Sequence, residues 1–102
     1  MKRKYLKIKE NLQSEAKNGN QRDVILNLFS QLEDILQSMY GKNARTIESV
    51  RLAFRDGYIT KEDANSLNML RIARNNIVHG VNNTNHYARD TIGKWIDIVY
   101  SL

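Results

Sequence analysis

Apolar residues recur at three- and four-residue steps along the chain, and this spacing predicts helices throughout. The clearest run is a wide apolar face sustained over about four helical turns. Its members are Ile25, Leu28, Phe29, Leu32, Ile35, Leu36 and Met39. The sequence has no alternating runs of β-branched residues that would indicate strands, no proline, and five glycines that stand alone. The pattern therefore predicts an all-α protein.

Glycine and asparagine positions divide the chain into successive helices. We expect the first helix from about Lys2 to Lys17, ended by Asn18-Gly19-Asn20, because glycine and asparagine tolerate left-handed backbone. The apolar stripe of this helix comprises Tyr5, Ile8, Leu12 and Ala16. Gly41 is expected to stop the second helix in the same way. Short connections of this kind favour antiparallel neighbours.

The next two helices are predicted from cap residues as well as from spacing. Thr46 can cap a short third helix, which Asp56-Gly57 closes. The apolar stripe of the third helix comprises Ile47, Val50 and Phe54. Thr60 followed by Asp63 is a variant of the capping box, with Asp in place of the usual Glu. The fourth helix should therefore begin there and run to about Gly80.

The last part of the chain completes the predicted bundle. The apolar stripe of the fourth helix comprises Leu67, Leu70, Ile77 and Val81, and Arg74 interrupts it. Asn82-Asn83-Thr84-Asn85 is a polar turn that could cap a fifth helix from about Asn85. The stripe of that fifth helix comprises Ile92, Trp95, Ile96 and Val99. We predict one domain over residues 1–102, a compact bundle of four long helices plus one short helix. One face should stay partly apolar and pair with a second copy in a homodimer.

Composition narrows the class of protein. The formal charge is +5, and five of the 16 basic residues fall in the first nine positions. A basic surface attracts nucleic acid through non-specific, salt-sensitive contacts, although a solvated helix face with a basic start explains the same charge. The chain has no cysteine, which excludes disulfides and thiolate metal sites and fits a reducing cytoplasm. No apolar run approaches the ~18 residues of a membrane span, so we expect a cytoplasmic protein without membrane contact.

Polar side chains cluster on the fourth helix towards its C-terminal end. One polar stripe, with steps of three, four and four residues, comprises Asn68, Arg71, Asn75 and His79, and Asn76 widens it. Arg74 lies five residues before His79, so the two positions are about 140° apart around the helix. The long side chain of Arg74 can reach partway round, and a helix that ends near Gly80 could turn His79 towards it. One helix therefore makes an incomplete site, which two copies across a dimer would double.

The residue types in this cluster favour one kind of chemistry. His79 and His86 would lie about 10.5 Å apart on a continuous helix, too far to share a metal ion, and we predict no metal and no cofactor. RNA carries its own nucleophile, the 2′-hydroxyl. An enzyme needs to remove that proton, protonate the leaving 5′-oxygen and stabilise the anionic phosphorane. Histidine exchanges protons near neutral pH, and arginine offers a planar fork of donors to phosphate oxygens.

The string Leu70-Arg71-Ile72-Ala73-Arg74-Asn75-Asn76-Ile77-Val78-His79-Gly80 resembles the motif of bacterial HEPN proteins. HEPN domains are small helical bundles marked by an arginine, four to six residues, and then a histidine, and the residue after the arginine is commonly polar. Arg74, Asn75 and His79 match this pattern near the end of a long helix. The helix order resembles the HEPN fold over most of the chain, and the residue-level match covers this string.

The resemblance implies a homodimeric, metal-independent endoribonuclease that leaves a 2′,3′-cyclic phosphate and serves toxin–antitoxin, phage-defence or RNA-processing systems. Arg74 and His79 would be the catalytic pair, with Asn75 as polar helper. Asn68, Arg71 and Asn76 are expected to bind substrate. A regulatory protein or antitoxin is a possible partner. Toxins paired with nucleotidyltransferase antitoxins carry a tyrosine two residues after the histidine, where this chain has Val81, so control through that tyrosine is not expected.

Other interpretations of the same residues stay open. Arg74 could extend its side chain along the apolar surface or pair with an acid such as Asp90. His79 beside Gly80 could be a helix C-cap whose cation interacts favourably with the helix dipole. The alternative function is a non-catalytic HEPN-like module for dimerisation or RNA binding within a larger system. Trp95 is expected in the core, and His86 on the surface or in a turn.

Overall fold

A computed structural model describes residues 3–80 and 87–102, and within these ranges the chain forms five α-helices and no strands. The helices are α1 (Arg3–Lys17), α2 (Gln21–Tyr40), α3 (Thr46–Arg55), α4 (Lys61–Val78) and α5 (Arg89–Val99). The predicted all-α bundle is thus confirmed. The prediction of four long helices and one short helix is wrong in one respect. Helix α5 has 11 residues and α3 has 10, so two of the five helices are short.

Helix α2 is the centre of the bundle and packs against each of the other four helices. The members of its predicted apolar face that are buried are Ile25, Leu28, Phe29, Leu32 and Leu36. Ile35 and Met39, at the edge of that face, are partly buried. Each fully buried leucine or phenylalanine contributes about 1.5–3 kcal/mol relative to an exposed side chain, so this face organises the fold. The spacing of apolar residues along α2 therefore predicted its packing.

Helices α1 and α5 add their predicted stripes to the same core. In α1, Leu12 is buried and Ile8 and Ala16 are partly buried, while the side chain of Tyr5 lies outside the described part of the chain. The four predicted core residues of α5, Trp95 included, are all buried. Tyr100, which directly follows α5, is also buried, a position that the spacing did not predict.

Two helix ends follow the local sequence as predicted. Thr60 is the N-cap of α4, and its Oγ1 accepts a hydrogen bond from the backbone N–H of Asp63 at 3.0 Å. Gly41 ends α2 with φ +90°, a conformation that a residue with a Cβ rarely adopts. In both cases the residue that caps or ends the helix is next to it in the sequence. These helix ends can therefore be predicted from the local sequence alone.

Two other helix starts differ from prediction. Thr46 is the first residue of α3 rather than its cap, because the N-cap is Arg45, which makes no side-chain cap bond. Helix α5 begins at Arg89 rather than near Asn85. The reason is a long-range contact: the Gln21 amide donates to the Tyr87 carbonyl at 2.7 Å and accepts from the Tyr87 N–H at 3.1 Å. This pairing holds the main chain of Tyr87 outside the helix. The predicted turn 82–85, together with Val81 and His86, lies outside the described residues.

The predicted apolar stripe of α3 is buried only in part: Val50 is partly buried against the core, and the other two positions are exposed. Ile47 and Phe54 are 46% and 41% exposed, whereas the side chains buried on this helix are Ser49 and Ala53. Helix α3 contacts both α2 and α4, and the small side chains of Ser49 and Ala53 allow a close approach to its neighbours. The bulkier apolar side chains are consequently left at the edge of the helix.

A polar cluster joins the C-terminal ends of α2 and α3. The Tyr40 hydroxyl donates to the Asp56 carboxylate at 2.8 Å, and Arg55 Nε donates to the same carboxylate at 2.9 Å. The bond from Arg55, followed by the bond from Tyr40, lowers the pKa of Asp56 below its usual value. Partial burial, reinforced by the bond to Asp56, raises the pKa of Tyr40 to about 12. The cluster therefore stabilises an ionised Asp56 and a neutral Tyr40.

Candidate functional site

Arg74 is held against the centre of the bundle by an aromatic ring and an amide. Its guanidinium carbon lies 5.0 Å from the centre of the Phe29 ring on α2, which is the geometry of a cation–π contact. Its Nη1 donates to the Asn75 Oδ1 at 3.0 Å. Both Arg74 and Asn75 are half-buried. The arginine that interrupts the apolar stripe therefore lies along α2, and among the described residues it forms no ion pair with Asp90.

His79 lies just beyond the last residue of α4, as its C-cap. Its backbone N–H donates to the Asn75 carbonyl at 2.9 Å, and its side chain is exposed. Gly80 follows with φ +67°, so the chain leaves the helix at this point in a left-handed conformation. The prediction that the helix ends beside Gly80 is thus confirmed. His79 is also the C-cap of α4, as the alternative interpretation predicted. A residue at this position can still have a chemical role.

Asn75 connects the two candidate catalytic residues. Its side-chain oxygen accepts from Arg74, and its main-chain oxygen accepts from His79. Within the described part of the chain, no hydrogen bond joins Arg74 to His79 directly. One copy of the chain thus brings the arginine and the histidine to the same end of α4, with Arg74 against the Phe29 ring and the His79 side chain exposed.

The predicted polar stripe is divided between two places. Arg71 Nε and Nη2 both donate to the Asn68 Oδ1, at 3.1 and 2.9 Å. At 1.5 Å per residue, these two positions lie about 12 and 16 Å before His79 along α4. Both residues border a groove between α3 and α4, of about 430 Å³. Asn68 and Arg71 therefore form one wall of a separate cavity, and they do not surround His79.

Asn76 belongs to a third group, the outward face of α4. The positions Met69, Ile72, Asn76 and His79 follow one another at steps of three and four residues, so they share one side of the helix. Met69 is 50% exposed and Ile72 is 39% exposed. We call these four residues the outer face of α4. It is a partly apolar surface of the kind that the sequence predicted, and it runs directly to His79.

The described residues contain neither a cluster of metal ligands nor a membrane-spanning helix. No group of three or more His, Cys, Asp or Glu side chains within residues 3–80 and 87–102 is arranged to hold a metal ion. His86 lies outside these ranges, so its predicted distance from His79 stays a prediction. None of the helices in the described ranges is long and apolar enough to cross a bilayer.

Phe29 is a neighbour of Arg74 that was not predicted. Its spacing indicated a core residue, which it is, with 4% exposure. Nothing in the sequence indicated that its ring would lie under the guanidinium of Arg74, because the two residues are on different helices. The sequence did show an arginine on an apolar stripe. Which side chain that arginine contacts depends on how α2 and α4 pack, and the spacing of residues does not determine this packing.

The fold and site together define a small all-α bundle with an Arg-Asn-x3-His sequence at the end of its fourth helix. Comparison with known protein families, curated proteins and solved structures finds no match to this chain. The resemblance to HEPN proteins therefore stays a prediction from the sequence motif.

Proposed function

We propose that the chain is a metal-independent endoribonuclease of HEPN type that acts as a homodimer on RNA in the cytoplasm, in a toxin–antitoxin or phage-defence setting. The observation that carries the proposal is that Arg74, held over the Phe29 ring and bonded to Asn75, and the exposed His79 lie at the same end of α4. An arginine of fixed position and an exposed histidine are the two groups that cleavage by the 2′-hydroxyl requires.

Each residue has a role in this reaction. Arg74 has five N–H donors, of which the bond to Asn75 uses one, so its fork can also donate to phosphate oxygens. His79 removes the proton from the 2′-hydroxyl, whose oxygen attacks the adjacent phosphorus. The bond to the 5′-oxygen breaks, and that oxygen takes a proton. The products are a 2′,3′-cyclic phosphate and a 5′-hydroxyl.

A second copy is needed because one histidine cannot be base and acid in the same step. The outer face of α4 supports such a dimer, since its exposed Met69 and Ile72 continue directly to Asn76 and His79. Burying this face against a second copy would bring two His79 side chains into one cleft, one as base and one as acid. Asn76 would then lie where it can contact the RNA backbone.

Cleavage of RNA by the purified chain in EDTA tests the activity. We expect wild-type protein to cut single-stranded RNA and to leave a 2′,3′-cyclic phosphate and a 5′-hydroxyl that a polynucleotide kinase can label. His79→Ala should abolish cutting, and its exposed position at the helix end should leave the fold intact. Arg74→Lys keeps the charge but loses the fork, so it should cut far more slowly.

Two controls make the result decisive. Lys94→Ala removes another exposed cation, on α5, and should cut like wild type. Ile72→Glu places a charge on the outer face of α4 and should give a folded monomer, by sedimentation and circular dichroism, without activity. If no RNA is cut by folded wild-type protein, or if His79→Ala cuts as fast as wild type, the enzymatic proposal fails.

A non-catalytic HEPN-like module is the second candidate. The observation that favours it is the half-buried position of Arg74 on Phe29, which is also what a purely structural arginine would show. In this case the chain would dimerise or bind RNA without cutting it. RNA binding by His79→Ala equal to that of wild type, together with intact RNA in both samples, would favour this module over the enzyme.

A further inference from the structure

The groove between α3 and α4 has an apolar floor that no other described element covers. Its floor is made by Ile47, Val50, Phe54, Ala64 and Leu67. Two of these, Ile47 and Phe54, are almost half exposed, although the spacing of apolar residues on α3 predicted that they would be buried. Large apolar side chains that border a cavity of about 430 Å³ are a feature of binding sites rather than of an ordinary surface.

The rim of the groove is basic. Arg51 on α3 and Lys61 and Arg71 on α4 border the cavity, and none of the described residues that line it is acidic. None of these three cations forms an ion pair with an acidic side chain in the described part of the chain. The bonds from Arg71 to Asn68 fix the direction of its guanidinium, and they leave its charge in place because Asn68 is neutral.

We propose that this groove binds an amphipathic helix of a partner protein, with apolar side chains on one face and Asp or Glu residues beside them. The apolar floor would take the apolar side chains, and the three cations would meet the carboxylates. Lys61 and Arg71 are ten residues apart on α4, or about 15 Å, which matches roughly three turns of a bound helix. The proposal does not depend on ribonuclease activity.

RNA is the weaker fit to the same groove. Sites for single-stranded nucleic acid stack successive bases on several aromatic side chains. Among the described residues that line the groove, Phe54 is the one aromatic residue, and the rest of the floor is aliphatic. An aliphatic floor favours leucine-like side chains, so the cations of the rim are better matched by carboxylates than by a row of phosphates.

The test is a titration of the isotope-labelled full chain with two synthetic helical peptides of roughly 14 residues, or about four turns. One peptide carries leucine at steps of three and four with glutamate at the flanking positions, and the other has lysine in place of every glutamate. We expect the glutamate peptide to shift the backbone amide signals of Val50, Ala64 and Leu67, and the lysine peptide to leave them unchanged. Salt should weaken the binding of the glutamate peptide.

Charge-reversal variants locate the contact. Arg51→Glu and Arg71→Glu should each weaken binding of the glutamate peptide by at least about tenfold, because they place like charges across the groove. Arg51 is exposed, so its variant is expected to fold even where the half-buried Arg71 variant does not. Arg22→Glu, at an exposed position of α2, changes the net charge equally and should bind like wild type.

Each contrary outcome overturns the proposal. Equal binding of both peptides would show a non-specific apolar contact. Equal loss in Arg22→Glu would show an effect of net charge alone. Displacement of the peptide by an oligouridine that shifts the same amides would identify the groove as a nucleic-acid surface. Concentration-dependent shifts of these amides without peptide would show that a second copy of the chain covers the groove.

Discussion

The contact between Arg74 and Phe29 allows a direct test of how the candidate site is built. The perturbation is a pair of substitutions, made singly and together. Arg74→Met removes the charge and keeps an unbranched side chain, and Phe29→Leu removes the ring and keeps apolar bulk. If the guanidinium lies over the ring, 5.0 Å from its centre, the two substitutions should not be additive.

The size of this coupling follows from the burial of the pair. Cation–π contacts contribute about 0.5–1 kcal/mol at exposed sites and about 2 kcal/mol when desolvated. Arg74 is half-buried and Phe29 is 4% exposed, so we expect a coupling free energy of about 1 kcal/mol. The bond from Arg74 to Asn75 is lost in both Arg74→Met variants and therefore cancels in the cycle.

Urea denaturation followed by circular dichroism measures the free energy of unfolding of the four proteins. The matched control repeats the cycle with Arg71→Met in place of Arg74→Met, because the guanidinium of Arg71 is bound to Asn68. The control pair should be additive within about 0.5 kcal/mol. A coupling between Arg74 and Phe29 that is no larger than the control would refute the proposed anchoring of the arginine.

Three further predictions concern the fold. Gly80→Ala should lower the free energy of unfolding, measured by urea denaturation, by about 1–2 kcal/mol, because φ is +67° at Gly80. Gly93→Ala inside α5 should raise it by about 0.5–1 kcal/mol, because an added Cβ meets nothing within 4 Å. Equal effects of the two substitutions would contradict this prediction. Thr60→Ala should lower the free energy of unfolding by about 1 kcal/mol in the same assay, because it removes the N-cap bond of α4. An unchanged free energy of unfolding would show that this bond does not stabilise the helix. The lowered pKa of Asp56 stabilises the fold above pH 3.8, and this contribution disappears as the pH falls through the lower folded pKa. Asp56→Asn should therefore weaken the fall of Tm below about pH 4, and an unchanged acid profile would contradict it.

The parts of the fold that the sequence predicts are those that depend on neighbouring residues. The apolar face of α2 follows from the helical repeat alone, and the start of α4 follows from Thr60 and Asp63. The start of α5 depends on Gln21, which is 66 residues from the Tyr87 that it holds. Contacts of this separation leave no periodic signal in the sequence, so the predicted start at Asn85 was wrong.

Helix α3 shows a second reason why sequence patterns fail. Its bulky apolar residues follow the helical repeat, but its small residues Ser49 and Ala53 are the buried ones. Spacing alone cannot show whether a helix approaches its neighbours by its large or its small side chains. The same uncertainty explains why the groove was not predicted, since Ile47 and Phe54 were placed on the apolar stripe of α3 and border the groove in the structure.

The residues of the candidate site stay a prediction, and the structure shows where each of them lies. The helical repeat placed Asn68 and Arg71 on one stripe with His79, and in the structure these two residues border a cavity about 12–16 Å away along α4. The two candidate catalytic groups are held differently. Arg74 is fixed by Phe29 and Asn75, while His79 is exposed beside the outer face of α4. A fixed arginine can hold a phosphate without reorganisation, whereas an exposed histidine gains a fixed position only when another surface covers it. For this reason the proposed activity requires the proposed homodimer, and a monomeric variant with an intact Arg74 should bind RNA without cutting it.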